Sequence, residues 1–105
     1  MEQKNENYKK LSDLDINLLY DILSEWEVVE RKYIYKIITL SSFSEAVNFV
    51  KKIAKISDKI NHHPDIEIYD YKKLKIKIYT HELNCLTNKD IELAKKIDES
   101  ENNFK

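Results

Sequence analysis

The chain has no glycine among its 105 residues, although ordinary usage would place about seven in a protein of this length. Glycine is the residue that most readily adopts the positive φ angles that tight turns and many helix ends require. Asparagine and aspartate tolerate that conformation better than other residues do. We therefore expect them at such positions, with Asn61 and Asn84 as candidates, and we expect a tight glycine-free turn near Arg31 and Lys32.

The length and composition predict a single domain. A chain that is 42% hydrophobic can bury about 60–68% of its unfolded surface in one core at this size. Cys85 is the sole cysteine, so it cannot form an internal disulfide and it fits a reducing compartment. The polar start of the chain does not resemble a signal peptide. We expect a soluble cytoplasmic protein without a membrane segment, and nuclear presence stays open.

The charge balance argues against a nucleic-acid partner. Eighteen basic residues face nineteen acidic ones, which gives a net charge of −1. Arg31 is the sole arginine, whereas nucleic-acid-binding proteins usually present a basic stripe with arginines for bidentate contacts.

Three segments have the apolar spacing of amphipathic helices. The first lies in residues 11–25, with Ser12 as N-cap and Asp15 completing a capping box. Its expected core face is Leu14, Leu18, Leu19 and Ile22. The second opens at Ser42 and ends before His62, with an apolar face of Phe43, Ala46, Val47, Val50, Ile53, Ala54 and Ile60. The third starts at Thr87 with Asp90 at the capping-box position.

Four segments rich in β-branched and aromatic residues predict strands. They cover residues 26–30, 33–40, 65–71 and 73–79, and the fourth alternates strictly between apolar residues and lysines. The resulting order is αββαββα. Short links favour an antiparallel sheet, and the helices would cover its apolar face. We predict an α+β two-layer domain over residues 11–98, with a four-stranded antiparallel sheet, three helices on one face, and flexible ends at 1–10 and 99–105.

All three histidines lie within twenty residues of one another: His62, His63 and His81. Histidine exchanges protons near neutral pH, so this concentration indicates proton chemistry. Pro64 disfavours helical geometry at His63, which makes the segment extended there. Neighbouring residues on an extended segment point to opposite sides, so His62 and His63 are not expected to do the same job.

The spacing of these residues resembles the signature of the pterin-4a-carbinolamine dehydratase family. The signature positions are Asp58, His62, His63, Pro64, Tyr71, His81 and Asp90. Further matching segments are Trp26-Glu27, Phe43 to Phe49, Thr80-His81 and Leu86 to Ala94. The resemblance covers residues 11–98. It departs from the family where glycine is usual, in the loop Leu83-Asn84-Cys85 and in the first hairpin, and it has aspartate rather than glutamate at position 58.

The resemblance implies a hydro-lyase that dehydrates 4a-hydroxytetrahydropterins to quinonoid dihydropterins, without a metal or another cofactor, and so recycles the pterin of aromatic amino acid hydroxylases. It also implies a homodimer or homotetramer. Losing water from a carbinolamine requires one group that gives a proton and one that takes a proton, and histidines suit both roles. By resemblance, His62 and His81 form the acid/base pair and His63 binds the pterin. The implied substrate-binding residues are Asp58, Asn61, Pro64, Thr80 and Glu82.

Asp90 has a structural explanation of its own, because the carboxylate of a capping box returns to the N-cap amide. We expect it to be structural and to orient His81 at most.

Two other function classes remain open. One is a non-catalytic protein-binding module that serves as dimerisation cofactor of a transcription regulator, with an interface on helix two through Phe43, Val47, Phe49 and Val50. The other is a zinc site made by His62, His81 and Asp90. Zinc needs three or four convergent ligands, and neighbouring histidines that diverge fit this poorly.

Overall fold

A computed structural model describes residues 8–104 of this protein. Its elements are α1 (Asp13–Ile22), β1 (Glu27–Val29), β2 (Tyr33–Thr39), α2 (Phe43–Ile60), β3 (Asp65–Tyr69), β4 (Lys73–Ile78) and α3 (Asn88–Phe104). The predicted α+β class and the order αββαββα are confirmed. Residues 1–7, which belong to the expected flexible start, lie outside the described residues. Within residues 8–104, no helix combines the length and the apolar character needed to cross a membrane.

The four strands form one antiparallel sheet in the order β1-β2-β4-β3. The pairing of β3 with β4 runs from Asp65 opposite Lys77 to Tyr69 opposite Lys73. The start of β3 therefore lies beside the end of β4. This register brings the segment before β3, which holds His62 and His63, next to the segment after β4, which holds His81.

The two faces of the sheet differ in character. One face is covered by the helices, and its residues Ile34, Ile38, Leu74, Ile76 and Ile78 are almost completely buried. The helices contribute Leu19, Phe49, Ile53, Leu93 and Ile97 to the same core. We call the other side the open face. Its partly exposed residues on β2, on β4 and just after β4 are Tyr33, Tyr35, Ile37, Thr39, Lys73, Lys75, Lys77 and Tyr79.

Lys36 is a buried cation on the helix-covered face, with 5% of its surface exposed. Its ammonium lies 2.6 Å from Glu101, 2.9 Å from Asp98 and 3.0 Å from Glu25. Burial lowers the pKa of this group, but the carboxylate hydrogen bonds raise it more, so the pKa of Lys36 lies above its ordinary value. The indole of Trp26 donates to the same Asp98 at 2.9 Å. Lys36 thus fastens β2 to the last turns of α3.

The last turns of α3 differ from the flexible end that we expected at residues 99–105. The helix continues to Phe104, whose ring centroid lies 5.2 Å from that of the buried Phe49. Glu101 holds Lys36 in the same stretch. The sequence predicts a flexible end because residues 99–105 are mostly polar. The hydrophobic pattern does not show that Glu101 pairs with the buried Lys36.

The expected core face of α1 is largely wrong. Leu14, Leu18 and Ile22 are 67%, 45% and 50% exposed, and α1 inserts Ile16 and Leu19 into the interior instead. Both sets have helical spacing, so periodicity could not choose between them. The capping box of Ser12 and Asp15 is confirmed, since each side chain bonds the other residue's backbone N–H.

Six described residues have positive φ, and none of them is glycine. Asn61 and Asn84 are confirmed, and Asp70 follows the same preference. The other three residues with positive φ are Glu30, Arg31 and Tyr71, which are not of the residue types that we expected at such positions. The reason is hairpin geometry, because Val29 pairs with Tyr33 and Tyr69 pairs with Lys73, so three residues link the strands of each hairpin. The first two residues of each link, Glu30-Arg31 and Asp70-Tyr71, have positive φ, and in the first link the Lys32 N–H donates to the Val29 carbonyl at 2.8 Å.

Replacing Asp70 with asparagine and Tyr71 with glycine should stabilise the second hairpin. We expect the free energy of unfolding to rise by about 1 kcal/mol, because a Cβ in the left-handed region costs about 1–2 kcal/mol. Equilibrium chemical denaturation measures the change. Tyr71→Ala is the matched control, since it removes the ring and keeps the Cβ. An equal gain from Tyr71→Ala would contradict backbone strain as the cause.

Candidate active site

His62 is buried at the end of α2, with 5% of its surface exposed. Its backbone N–H donates to the Ser57 carbonyl at 3.1 Å, just after Asn61 ends the helix in the left-handed conformation. Its Nε2 atom lies 2.6 Å from Oδ1 of Asp90. Its Nδ1 atom makes no hydrogen bond to another described residue. The imidazole is therefore held through Nε2, and the Tyr8 ring lies against it at a centroid distance of 5.8 Å.

Asp90 is fully buried, and its second carboxylate oxygen is also occupied. Oδ2 accepts from the Thr87 backbone N–H at 2.8 Å and from the Thr80 hydroxyl at 3.0 Å. The hydroxyls of Thr80 and Thr87 lie 2.6 Å apart. The capping-box prediction for Asp90 is confirmed. The expectation that it would orient His81 is wrong, because its histidine partner is His62.

Thr80 belongs to this interior network, although the resemblance implies that it binds substrate. It is 0% exposed, since it follows the buried positions of β4 in alternation. Its side chain is committed to Thr87 and Asp90. The direct role open to its side chain is to hold Asp90.

His63 lies on the opposite side of the chain from His62 and is exposed, as expected for neighbours on an extended segment. Its Nε2 atom lies 2.9 Å from Oδ1 of Asp58 in the last turn of α2. Both side chains are more than half exposed. An arriving molecule can therefore reach this pair.

His81 is exposed two positions after Tyr79, on the side of the open face. Its ring centroid lies 4.1 Å from that of Tyr79, and its Nε2 atom lies 3.7 Å from Oδ1 of Asp65. Asp65 is not among the site residues that the sequence predicts. Its place beside His81 follows from the antiparallel pairing of β3 with β4, which brings the start of one strand to the end of the other.

Each of the three histidines thus faces a carboxylate, and the three pairs differ in burial. The pair His62–Asp90 is enclosed, whereas the pairs involving His63 and His81 are open to solvent. Asn61 and Glu82 are exposed nearby, and Pro64 is half-buried between His63 and Asp65. The arrangement supplies a held imidazole beside two accessible ones, which is a set of groups able to give and take protons.

The zinc alternative gains no support from this geometry. Across residues 8–104, no group of three or more His, Cys, Asp or Glu side chains is arranged to hold a metal ion.

The interface expected on helix two needs a correction. Phe49 is 0% exposed in the core, because it lies on the inner side of α2 with Ala46 and Ile53. Phe43 is 55% exposed, and Val47 and Val50 are half-buried. An interface on α2 would therefore use these three residues without Phe49.

Removing the Asp90 charge should destabilise the fold far more than removing the Asp58 charge. We expect Asp90→Asn to lower the free energy of unfolding by about 2–3 kcal/mol, because hydrogen bonds to a buried charged group are lost. Asp58→Asn should cost less than about 1 kcal/mol, because exposed ion pairs contribute little. Both variants remove a histidine's carboxylate partner, so denaturation curves compare them directly. Equal losses would show that the enclosed network does not stabilise the domain.

The chain is similar to known proteins in sequence and in fold. The family model for pterin 4 alpha carbinolamine dehydratase matches residues 9–100. A protein of Sulfurisphaera tokodaii named as a pterin-4-alpha-carbinolamine dehydratase is 41% identical over 95 residues, which covers 87% of this chain and 96% of that protein.

Two solved structures are similar in fold. The transcriptional coactivator/pterin dehydratase of Brucella melitensis has a TM-score of 0.78 and 27% identity, covering 86% of this chain and 96% of its own. A pterin dehydratase-like protein identified as a RuBisCO assembly factor in the alpha-carboxysome has a TM-score of 0.58. It is 17% identical and covers 70% of this chain and 86% of its own, so the likeness concerns the fold alone.

Proposed function

This chain belongs to the pterin 4 alpha carbinolamine dehydratase family, a family of hydro-lyases, and on that premise we propose that it dehydrates 4a-hydroxytetrahydropterin in the cytoplasm by histidine acid/base catalysis. The product is the quinonoid dihydropterin, so the reaction recycles the cofactor of aromatic amino acid hydroxylases. The observation that carries the proposal is the set of three histidine–carboxylate pairs at the junction of β3 and β4.

The reaction needs two proton transfers. The C4a hydroxyl takes a proton and leaves as water, while N5 loses its proton and its electron pair forms the C4a–N5 double bond. We assign the departing N5 proton to Nδ1 of His62. Asp90 lies at Nε2 of that ring, and a carboxylate there stabilises the tautomer whose Nε2 carries the proton and whose Nδ1 is a base.

His81 is assigned as the acid that protonates the departing hydroxyl. It is half-exposed, so it can recover a proton from solvent after each turnover. Its Nε2 atom lies 3.7 Å from Oδ1 of Asp65. His63, held by Asp58 at 2.9 Å, binds and orients the pterin, with Asn61, Pro64 and Glu82 around it.

A homo-oligomer belongs to the same proposal. The exposed Phe43 and the half-buried Val47 and Val50 give α2 an outward apolar strip. Sedimentation of the chain and of its Phe43→Glu variant measures whether copies associate through this strip.

No contact among residues 8–104 favours the protein-binding alternative over the enzyme. Its expected interface also loses Phe49, which is buried.

Single substitutions at the three histidines separate the assigned roles. His81→Ala and His62→Gln should each lower kcat by about 10²–10⁴-fold, because each removes a proton-transfer group. Glutamine is chosen at position 62 because its amide can still donate to Asp90 and keep the buried network. His63→Ala should raise KM mainly. The measurement is the dehydration rate of a 4a-hydroxytetrahydropterin adduct generated in the assay.

Circular dichroism of each variant serves as the control for folding. If the His62→Gln and His81→Ala proteins are folded and keep the wild-type kcat, the assignment of His62 and His81 as the proton-transfer groups is wrong. A wild-type protein that does not exceed the uncatalysed rate would remove the function.

A further inference from the structure

A row of aromatic rings and ammonium groups runs along the open face from His81. The Tyr79 ring lies 4.1 Å from the His81 ring, and Nζ of Lys77 lies 5.5 Å from the Tyr79 ring. Nζ of Lys77 also lies 4.2 Å above the Tyr33 ring, and Nζ of Lys75 lies 5.0 Å above the Tyr35 ring. The proposed function uses His81 and none of the other five residues.

Lys75 and Lys77 keep their ammonium groups out of direct ion pairs in the part of the chain that the structure describes. The register sets Glu67 opposite Lys75 and Asp65 opposite Lys77. Neither lysine forms an ion pair within 4.0 Å with a described residue, because both lean over tyrosine rings instead. Lys73, on the same strand and face, does pair with Asp70, at 3.7 Å. A cation–π contact leaves the ammonium N–H donors available to an acceptor.

An open cavity of about 240 Å³ lies beside these lysines. Its lining is Asp65, Ile66, Glu67, Lys75 and Lys77. Asp65 also borders His81, at 3.7 Å, so the cavity adjoins the proposed acid. A molecule bound at His81 therefore has two neighbours into which one of its groups could extend. They are this cavity and the row of tyrosine rings on the open face.

The chemistry of the pterin says which group extends there. The two reacting atoms are C4a and N5, and C6 is bonded directly to N5. A substituent on C6 therefore leaves the ring one bond from N5, whose proton is assigned to His62. His62 lies three residues before Asp65, and Asp65 lies opposite Lys77, so a substituent that begins beside His62 has Lys77 on the neighbouring strand.

We propose that Lys77, with Lys75, Tyr33 and Tyr79, binds the C6 substituent and selects a negatively charged one, either a carboxylate or a phosphate. This inference rests on the proposed function. The tyrosine rings offer flat apolar surface to the stem of the substituent, and the ammonium groups bind its charge. Selection comes from direct contact rather than from the field of the whole protein, whose net charge is −1.

The test compares three substrates that share the reacting ring. They are the 4a-hydroxy adducts of a 6-methyl tetrahydropterin, of a pteroylglutamate, and of a tetrahydropterin with a phosphorylated side chain. Wild-type protein should show a kcat/KM about tenfold or more higher for at least one anionic substrate than for the 6-methyl compound, as expected for a charge-assisted hydrogen bond. The preference should weaken as salt is raised from about 0.01 to 1 M.

Lys77→Met should abolish the preference and leave kcat/KM for the 6-methyl compound within about twofold. Lys77→Glu should reverse the preference. Lys73→Met is the matched control, because it removes the same charge from the same strand and face but at a lysine already paired with Asp70. It should keep the wild-type preference. Calorimetric binding of the corresponding 7,8-dihydropterins checks the same ranking without turnover.

The outcomes separate the two proposals. Preference for the carboxylate, for the phosphate or for both supports the selection and identifies its source. Equal rates for all three substrates, or an equal effect of Lys73→Met and Lys77→Met, overturn the selection and leave the dehydratase intact. Failure of the wild-type protein to dehydrate any of them overturns the dehydratase itself.

Discussion

The carboxylate of Asp90 is the point on which the geometry of the histidines depends. It is fully buried, and a buried charge is tolerated only when hydrogen bonds replace the lost water. Those bonds come from the start of α3, from Thr80 after β4 and from His62 after α2. The segment after α2 is thereby held, at the two oxygens of one carboxylate, to the segment between β4 and α3. His63 follows His62 and His81 follows Thr80 along the chain. The distance between these two exposed histidines is therefore set by the hydrogen bonds of Asp90, in which neither of them takes part.

At the junction of β3 and β4, successive residues of the extended chain point alternately to the interior and to solvent. His62 faces the interior and His63 faces solvent, while on the neighbouring segment Thr80 faces the interior and His81 faces solvent. The inward members build a rigid support, and the outward members remain accessible to a ligand. A single pair of adjacent strand ends therefore carries both the framework and the reactive groups.

Local signals in the sequence were sufficient to predict several features of the helices, turns and strands. The capping box at Ser12, the left-handed conformation of Asn61 and the alternation of β4 depend on a few neighbouring residues, and the structure contains all three. The orientation of α1, the burial of Lys36 and the pairing of Asp65 with His81 depend on partners far away in the chain. A periodic pattern gives the spacing of an apolar face but does not say which of two equally spaced faces meets the core. The resemblance identified the three histidines, but it did not predict that Asp90 pairs with His62 or that Asp65 pairs with His81. These pairs depend on how distant segments meet in the fold.

The glycine-free hairpins have a consequence for the denatured ensemble. A residue with a Cβ has fewer backbone conformations open to it than glycine has, so less entropy is lost when such a residue is ordered. Glu30, Arg31 and Tyr71 carry torsional strain in the native hairpins because their φ angles are positive, and part of that cost is offset by the narrower freedom of the disordered chain. Glycine at these positions would therefore raise the free energy of unfolding by less than the relief of torsional strain alone.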